Sequence, residues 1–143
     1  MLKCVYLVGA VLLLASPVLA ETPCGTIPIA PAIPTASAIA GKTADEATKI
    51  KHEAFLQVKA YQTTLKPFRE CLITQTTAAK AAAEAAKDDK AKAAAAKKEA
   101  DAKIADIQKA YDKTVDDETQ IVNDFVALQT AVCKIVDCTA PKK

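Results

Sequence analysis

Residues 78–103 read AAKAAAEAAKDDKAKAAAAKKEADAK, and this stretch decides the fold. Alanine has the highest helix propensity, so the segment stays helical with little help from packing. Its weakest point is Asp88-Asp89. Paired aspartates are poor in a helix interior but good at an N-cap, where their charge also suits the positive end of the helix dipole. The sequence therefore predicts that one helix ends here and another begins. A turn at this place leaves two arms of roughly 45 residues, about 65 Å each at the helical rise. Equal arms cover each other fully. A break at residues 74–77 would instead leave one arm overhanging, and a continuous rod folded only at Pro67 is the remaining alternative.

Both flanks carry the spacing of packed helices. Upstream, Ala47, Ala54, Tyr61 and Phe68 recur every seven residues, with Val58, Leu65, Leu72 and Ala79 four positions on. Downstream, Ile104, Tyr111, Phe125 and Val132 make one row and Ile107, Val115, Val122 and Ile135 a second. The 3–4 alternation is that of a seam between two helices. Glu118 interrupts the downstream row, so the seam is not uniformly dry. Pro67 lies inside the first helix, where it removes a hydrogen bond and crowds the carbonyl of Thr63, at ~3 kcal/mol. Leu65, Phe68 and Leu72 keep the seam in register across it, which predicts a kink rather than an end.

Thr43-Ala44-Asp45-Glu46 is a capping box that starts the first helix. Before it, residues 21–42 carry Pro23, Pro28, Pro31 and Pro34 with Ile27, Ile29, Ile33 and Ile39 between them. Prolines at this density oppose helix and favour extended polyproline II. A free linker is polar, whereas the isoleucines predict a strap lying against the helices. The alternative is a disordered tail.

The first twenty residues, MLKCVYLVGAVLLLASPVLA, have a lysine, an apolar run too short to span a bilayer, and small residues Val18 and Ala20 before Glu21. This is the pattern of a secretory signal peptide cleaved after Ala20. The expected setting is the periplasm or the extracellular space, with no membrane span in the mature chain.

Without Cys4, four cysteines remain in an oxidising compartment: Cys24, Cys71, Cys133 and Cys138. Cys24 lacks the apolar and small residues of a lipid-attachment signal before it. In a hairpin turned at residue 88, Cys71 faces the region of Asp106, about 40 Å from Cys133 by helical rise. Its partner is then Cys24. Nineteen residues of strap span up to ~59 Å as polyproline II against ~42 Å of helix between Thr43 and Cys71, so the strap reaches. Ile27, Ile29 and Ile33 would cover the groove between the helices. Closing this long loop contributes up to ~4 kcal/mol by chain entropy. Cys133 and Cys138 would pair locally, which requires the last helical turn to unwind.

The bulk composition narrows function mainly by exclusion. The formal net charge of the 143 residues is +2, against the clear positive excess that nucleic-acid binding needs. Hydrophobic residues make up 51%, but alanine dominates them and tryptophan is absent, so the core is thin. His52 is the lone histidine and has no second ligand at a metal spacing; it reads as a surface residue, with metal ligation or pH sensing as the rarer roles. Asp112, Asp116, Asp117 and Glu118 form an acidic cluster that reads as a solvated face, with weak cation binding as the alternative. Tyr61 and Tyr111 fall at seam positions. There is no phosphate loop, nucleophile elbow or acid–histidine pair. No catalytic, cofactor or metal residues are assigned, and no cofactor is expected.

The pattern Cys24…Pro28…Pro31…Ile33-Pro34, Thr43-Ala44, Val58-x-x-Tyr61, Cys71-Leu72 and Asn123-Asp-Phe125 resembles a group of small, uncharacterised secreted or periplasmic helical proteins of Gram-negative bacteria. The resemblance implies architecture and compartment, and the Cys133/Cys138 pair departs from it. In composition alone, residues 78–103 resemble the helical spacer of the periplasmic Tol energy-transducing protein. The helical arms of periplasmic holdase chaperones are a second likeness, although those proteins also carry a β-sheet body.

The expected protein is all-α: a long, coiled-coil-like antiparallel two-helix hairpin at residues 43–136, preceded by a leader at 1–20 and a Pro-rich strap at 21–42, and followed by a tail at 137–143. The expected function is non-enzymatic protein–protein binding or spacing in the envelope, with an envelope partner or self-association. A holdase-like chaperone or a stress or metal sensor is the alternative.

Overall fold

Thr43 and Asp89 set where the two helices begin. Thr43 Oγ1 accepts from the Glu46 amide at 3.3 Å, and Glu46 Oε2 accepts from the Thr43 amide at 2.9 Å. This reciprocal cap opens α1, Ala44–Ala85. Asp89 Oδ1 accepts from the amides of Ala91 and Lys92 at 3.0 and 3.3 Å and opens α2, Lys90–Val136. The chain reverses through residues 86–89 without glycine. Successive short bonds, Ala86 to Ala83, Lys87 to Glu84 and Asp89 to Ala86, tighten the last turn of α1 and satisfy its end carbonyls. The computed structural model describes residues 21–138. The leader expected at 1–20 and residues 139–143 of the expected tail lie outside them.

The two helices pack along their length as an antiparallel hairpin, and the fold is all-α in class. The first-helix seam consists of the expected eight residues: Ala47, Ala54, Val58, Tyr61, Leu65, Phe68, Leu72 and Ala79 are all buried. The α2 seam differs from expectation. Its buried residues are Ala100, Ile107, Ala110, Thr114, Ile121, Leu128 and Val132. The row Ile107, Thr114, Ile121, Leu128 keeps a strict seven-residue step. Following the bulkiest apolar residues instead shifts the row by one position to Val115 and Val122. Val115 is 40% exposed, whereas Ile135, on the seven-residue step but in the last turn of α2, is 39% exposed. One residue is a 100° turn of the helix, enough to move a side chain from the seam to its edge.

Pro67 is exposed and α1 runs through it without ending. The carbonyl it deprives of a partner belongs to exposed Thr63, so water can satisfy it.

The strap lies along the helices and carries structure that its prolines hid. A two-residue β-hairpin pairs β1, Glu21–Thr22, with β2, Gly25–Thr26. Its turn is Pro23-Cys24, held by Thr22 Oγ1, which donates to the Gly25 carbonyl at 2.8 Å and accepts from the Cys24 amide at 3.2 Å. Gly25 sits at φ 90°, the left-handed region that leaves other residues strained. Beyond it, Ile27 and Ile33 are buried and Ala30 is partly buried between them. This three-residue period is that of polyproline II. It corrects the expectation for Ile29, which falls off that face and is 76% exposed. The strap then closes into a single 3-10 turn, Ala36–Ile39, against the expectation of a purely extended segment. No proline lies within this turn, and burial of Ile39, 2% exposed, holds it.

Among the described residues, two clusters form the core. The larger joins Ile33, Ile39, Val58, Leu65, Ile121 and Leu128 among others; the smaller joins Ile27, Phe68, Leu72, Ile107 and Ala110. Full burial of side chains such as Leu65, Leu72 and Leu128 contributes about 2 kcal/mol each. Toward the turn, burial falls to Ala79 and Ala100. Alanine lets the helices approach there but offers little area, so propensity carries the tip.

Candidate functional site

Cys24 and Cys71 lie at disulfide-bonding distance with Cα atoms 5.8 Å apart, and Cys133 and Cys138 likewise at 4.9 Å. The first pair ties the strap hairpin to α1. The second forms where α2 stops at Val136: Asp137 takes a left-handed φ of 49° and turns Cys138 back toward the helix. Aspartate tolerates this conformation better than most residues.

Halfway along the seam, four polar side chains replace apolar packing. Arg69 donates from Nε to Thr114 Oγ1 at 2.9 Å and from Nη1 to Glu118 Oε2 at 2.7 Å. Glu118 Oε1 accepts from Gln62 Nε2 at 3.0 Å. Arg69 also lies over the Tyr111 ring, 5.6 Å from its centre. Tyr61 closes the layer from the strap side. Its hydroxyl and Arg69 Nη2 are both buried without a hydrogen-bond partner. Burial pushes the Tyr61 phenol above its ordinary range, with the Asp117 and Glu118 charges adding to the rise and Arg69 opposing it. The layer holds a carboxylate, a guanidinium and a phenol: Arg69, Glu118, Gln62 and Thr114 bond one another across the seam, while the phenol of Tyr61 bonds none of them.

The other residues singled out from sequence are scattered. His52 is exposed on α1. The acidic cluster is divided: Asp112 accepts from Gln108 at 2.7 Å, Asp117 pairs with Lys113 at 2.8 Å, and Glu118 turns inward to Arg69. Among the described residues, no group of three or more His, Cys, Asp or Glu side chains is placed to hold a metal ion. Also among them, no helix is long and apolar enough to cross a membrane.

The strap and an open face occupy opposite sides of the helix pair. The strap runs beside Gln57, Ala60, Tyr61 and Thr64 of α1 and bonds to Cys71. On the other side α1 presents Phe55, Gln62 and Arg69, seven residues apart, with Lys59, Lys66 and Ile73 between and beyond them. From α2, Phe125 meets Phe55 with ring centres 6.0 Å apart. At about 100° per residue, Val115, Val122 and Val126 extend this face outward. Phe55, Ile73, Val115 and Val126 are 42%, 57%, 40% and 54% exposed. The residues that failed as seam positions are thus the edge of this second face.

Sequence reasoning missed Gln62, Arg69 and Thr114. A strict seven-residue count from Ile107 would have reached Thr114, and Glu118 already signalled that a cation had to face it. Comparison with family models, with curated proteins and with solved structures returned no match.

Proposed function

We propose that this is a non-enzymatic secreted protein of the periplasm or extracellular space that works by binding another protein through the open helical face. The observation that carries the reading is the line of exposed apolar side chains, Phe55, Ile73, Val115 and Val126, on the side of the hairpin that the strap leaves bare. Large apolar side chains exposed together on one side of a helix pair and rimmed by polar residues, here Lys59, Gln62 and Lys66, are the pattern of an interaction site. Two disulfide-spaced cysteine pairs support an oxidising compartment, and the leader-like residues 1–20 support export. The strap's role is structural: it fills one groove so that only the other is offered.

A photocrosslinking residue at position 126, expressed in intact cells, tests the reading, with position 74 on the outer face of α1 as control. Discrete crosslinked products at 126 and none at 74 are expected. Equal or absent crosslinking at both sinks the binding role. Mass measurement of the protein recovered from the envelope should give a chain beginning at Glu21; a chain retaining residues 1–20 would contradict the export reading.

A further inference from the structure

We propose that the partner on this open face is a second copy of the same chain, packed face to face as an antiparallel four-helix dimer whose two-fold axis runs along the bundle. The proposal rests on the binding reading above and names its occupant.

The first argument is area. From Phe55 to Ile73 the face extends about 27 Å at the helical rise, and two helices side by side make it about 20 Å wide. Such a footprint, about 540 Å² per copy in plan, is the size of a reversible protein–protein contact at the low end of the specific range. The hairpin alone is also thin. Two helices and a strap leave Phe55 and Val126 half in water, whereas a four-helix bundle covers a second row on every helix.

The second argument is self-matching. Phe55 beside Phe125 and Gln62 bonded to Glu118 fix which residues of the two helices share a height. An axis along the bundle preserves height, so each level of the face meets the same level of its copy. Phe55 meets Val126 of the second copy, and Ile73 lies within one helical turn of its Ile104. The Gln62–Arg69–Glu118 belt meets its own image, polar against polar. A shifted register would press that belt against Phe55 or Ile73, so the belt specifies alignment, as a single polar layer does in coiled coils.

Charge selects the direction of the axis. With the axis along the bundle, α1 lies over α2 of the second copy and Lys66 comes level with its Asp112. With the axis across the bundle, α1 would lie over α1, bringing Lys59 and Lys66 of both copies together. Like charges at such a contact are unfavourable, so the first arrangement is preferred.

Sedimentation equilibrium on the purified protein, with both cysteine pairs oxidised, is the direct test. A reversible monomer–dimer equilibrium is expected. Val126→Glu should weaken the dimer at least about tenfold while leaving monomer helicity unchanged, because Val126 is already half exposed. Lys66→Asp should weaken it as well, and Lys66→Asp with Asp112→Lys should restore it. A wild-type chain that stays monomeric at about millimolar concentration overturns the proposal. So does a dimer indifferent to Val126→Glu, and so does a charge swap that fails to rescue. A monomer that still crosslinks to another protein through position 126 removes the second copy but keeps the binding reading. A monomer that crosslinks to nothing removes both.

Discussion

Arg69 on α1 and Glu118 on α2 are joined across the seam at 2.7 Å, with side chains 20% and 27% exposed. This pair sits where both helices would otherwise continue apolar, and it is linked further to Thr114 and Gln62. Surface ion pairs on the outer faces, such as Lys97–Asp101 and Lys113–Asp117, are worth little by comparison.

Arg69→Leu should cost about 2 kcal/mol, because it leaves Glu118 half-buried without its cation and Thr114 without its donor. Replacing both Arg69 and Glu118 by leucine should recover most of this loss. Urea unfolding of the two single variants and the double variant measures the coupling. Strict additivity would show that the two charges do not act as a pair.

The two cysteine pairs should differ in weight. Their sequence separations are 47 and 5, and the chain-entropy relation gives about 4 kcal/mol for the longer loop and about 2 kcal/mol for the shorter. Cys24→Ser with Cys71→Ser should therefore lower the melting temperature more than Cys133→Ser with Cys138→Ser. It should also expose Ile27 and Ile33, seen as faster amide exchange along the groove face of α1. Equal melting losses would mean that the strap stays docked without its tether.

The unpartnered Tyr61 hydroxyl makes a reversed prediction. Tyr61→Phe removes a buried polar atom that bonds nothing, and should raise stability by about 1 kcal/mol. The fold favours the neutral phenol and lifts its titration above the ordinary range, chiefly by burial. That stabilisation is complete below the ordinary phenol range and is lost as pH rises through the elevated value. Alkaline unfolding of the wild type should thus be steeper than that of Tyr61→Phe. Identical alkaline limbs would assign the loss to other groups.

Acid acts on the caps. Hydrogen bonds from the Thr43 backbone and side chain, with nearby Lys42, hold Glu46 below the ordinary carboxylate range. Asp89 is lowered by its bonds to the Lys92 side chain and to the Lys92 and Ala91 amides. Depressed carboxylates contribute stability above their unfolded values, and it is lost as pH falls through the folded ones. Circular dichroism should show helix ends fraying on acidification below the ordinary carboxylate range. Asp89→Ala should lower the melting temperature at neutral pH and make the hairpin tip the least protected helical region in hydrogen exchange. Protection at Ala79 and Ala100 matching that at Leu65 and Leu128 would contradict a tip carried by propensity alone.

Much of the fold was legible along the chain. Alanine propensity, the twin aspartates and the capping box act within a few residues, so residues 43–136 declare two helices and a turn without reference to anything distant. The eight seam residues of α1 were legible for the same reason, since apolar side chains at a fixed period have one way to be buried. Position along the helices also made Cys24 the natural partner of Cys71.

Tertiary structure decided what depends on the facing surface. The seven-residue step of α2 marks the position of Thr114, but a threonine suits that position only because Arg69 reaches its hydroxyl from the other helix. Ile29 is exposed and Ile33 buried because the strap turns every three residues against a groove that exists only after the helices have met. The open face is likewise invisible to a period count. Phe55, Val115 and Val126 become a surface when two helices and a strap leave one side of the seam uncovered.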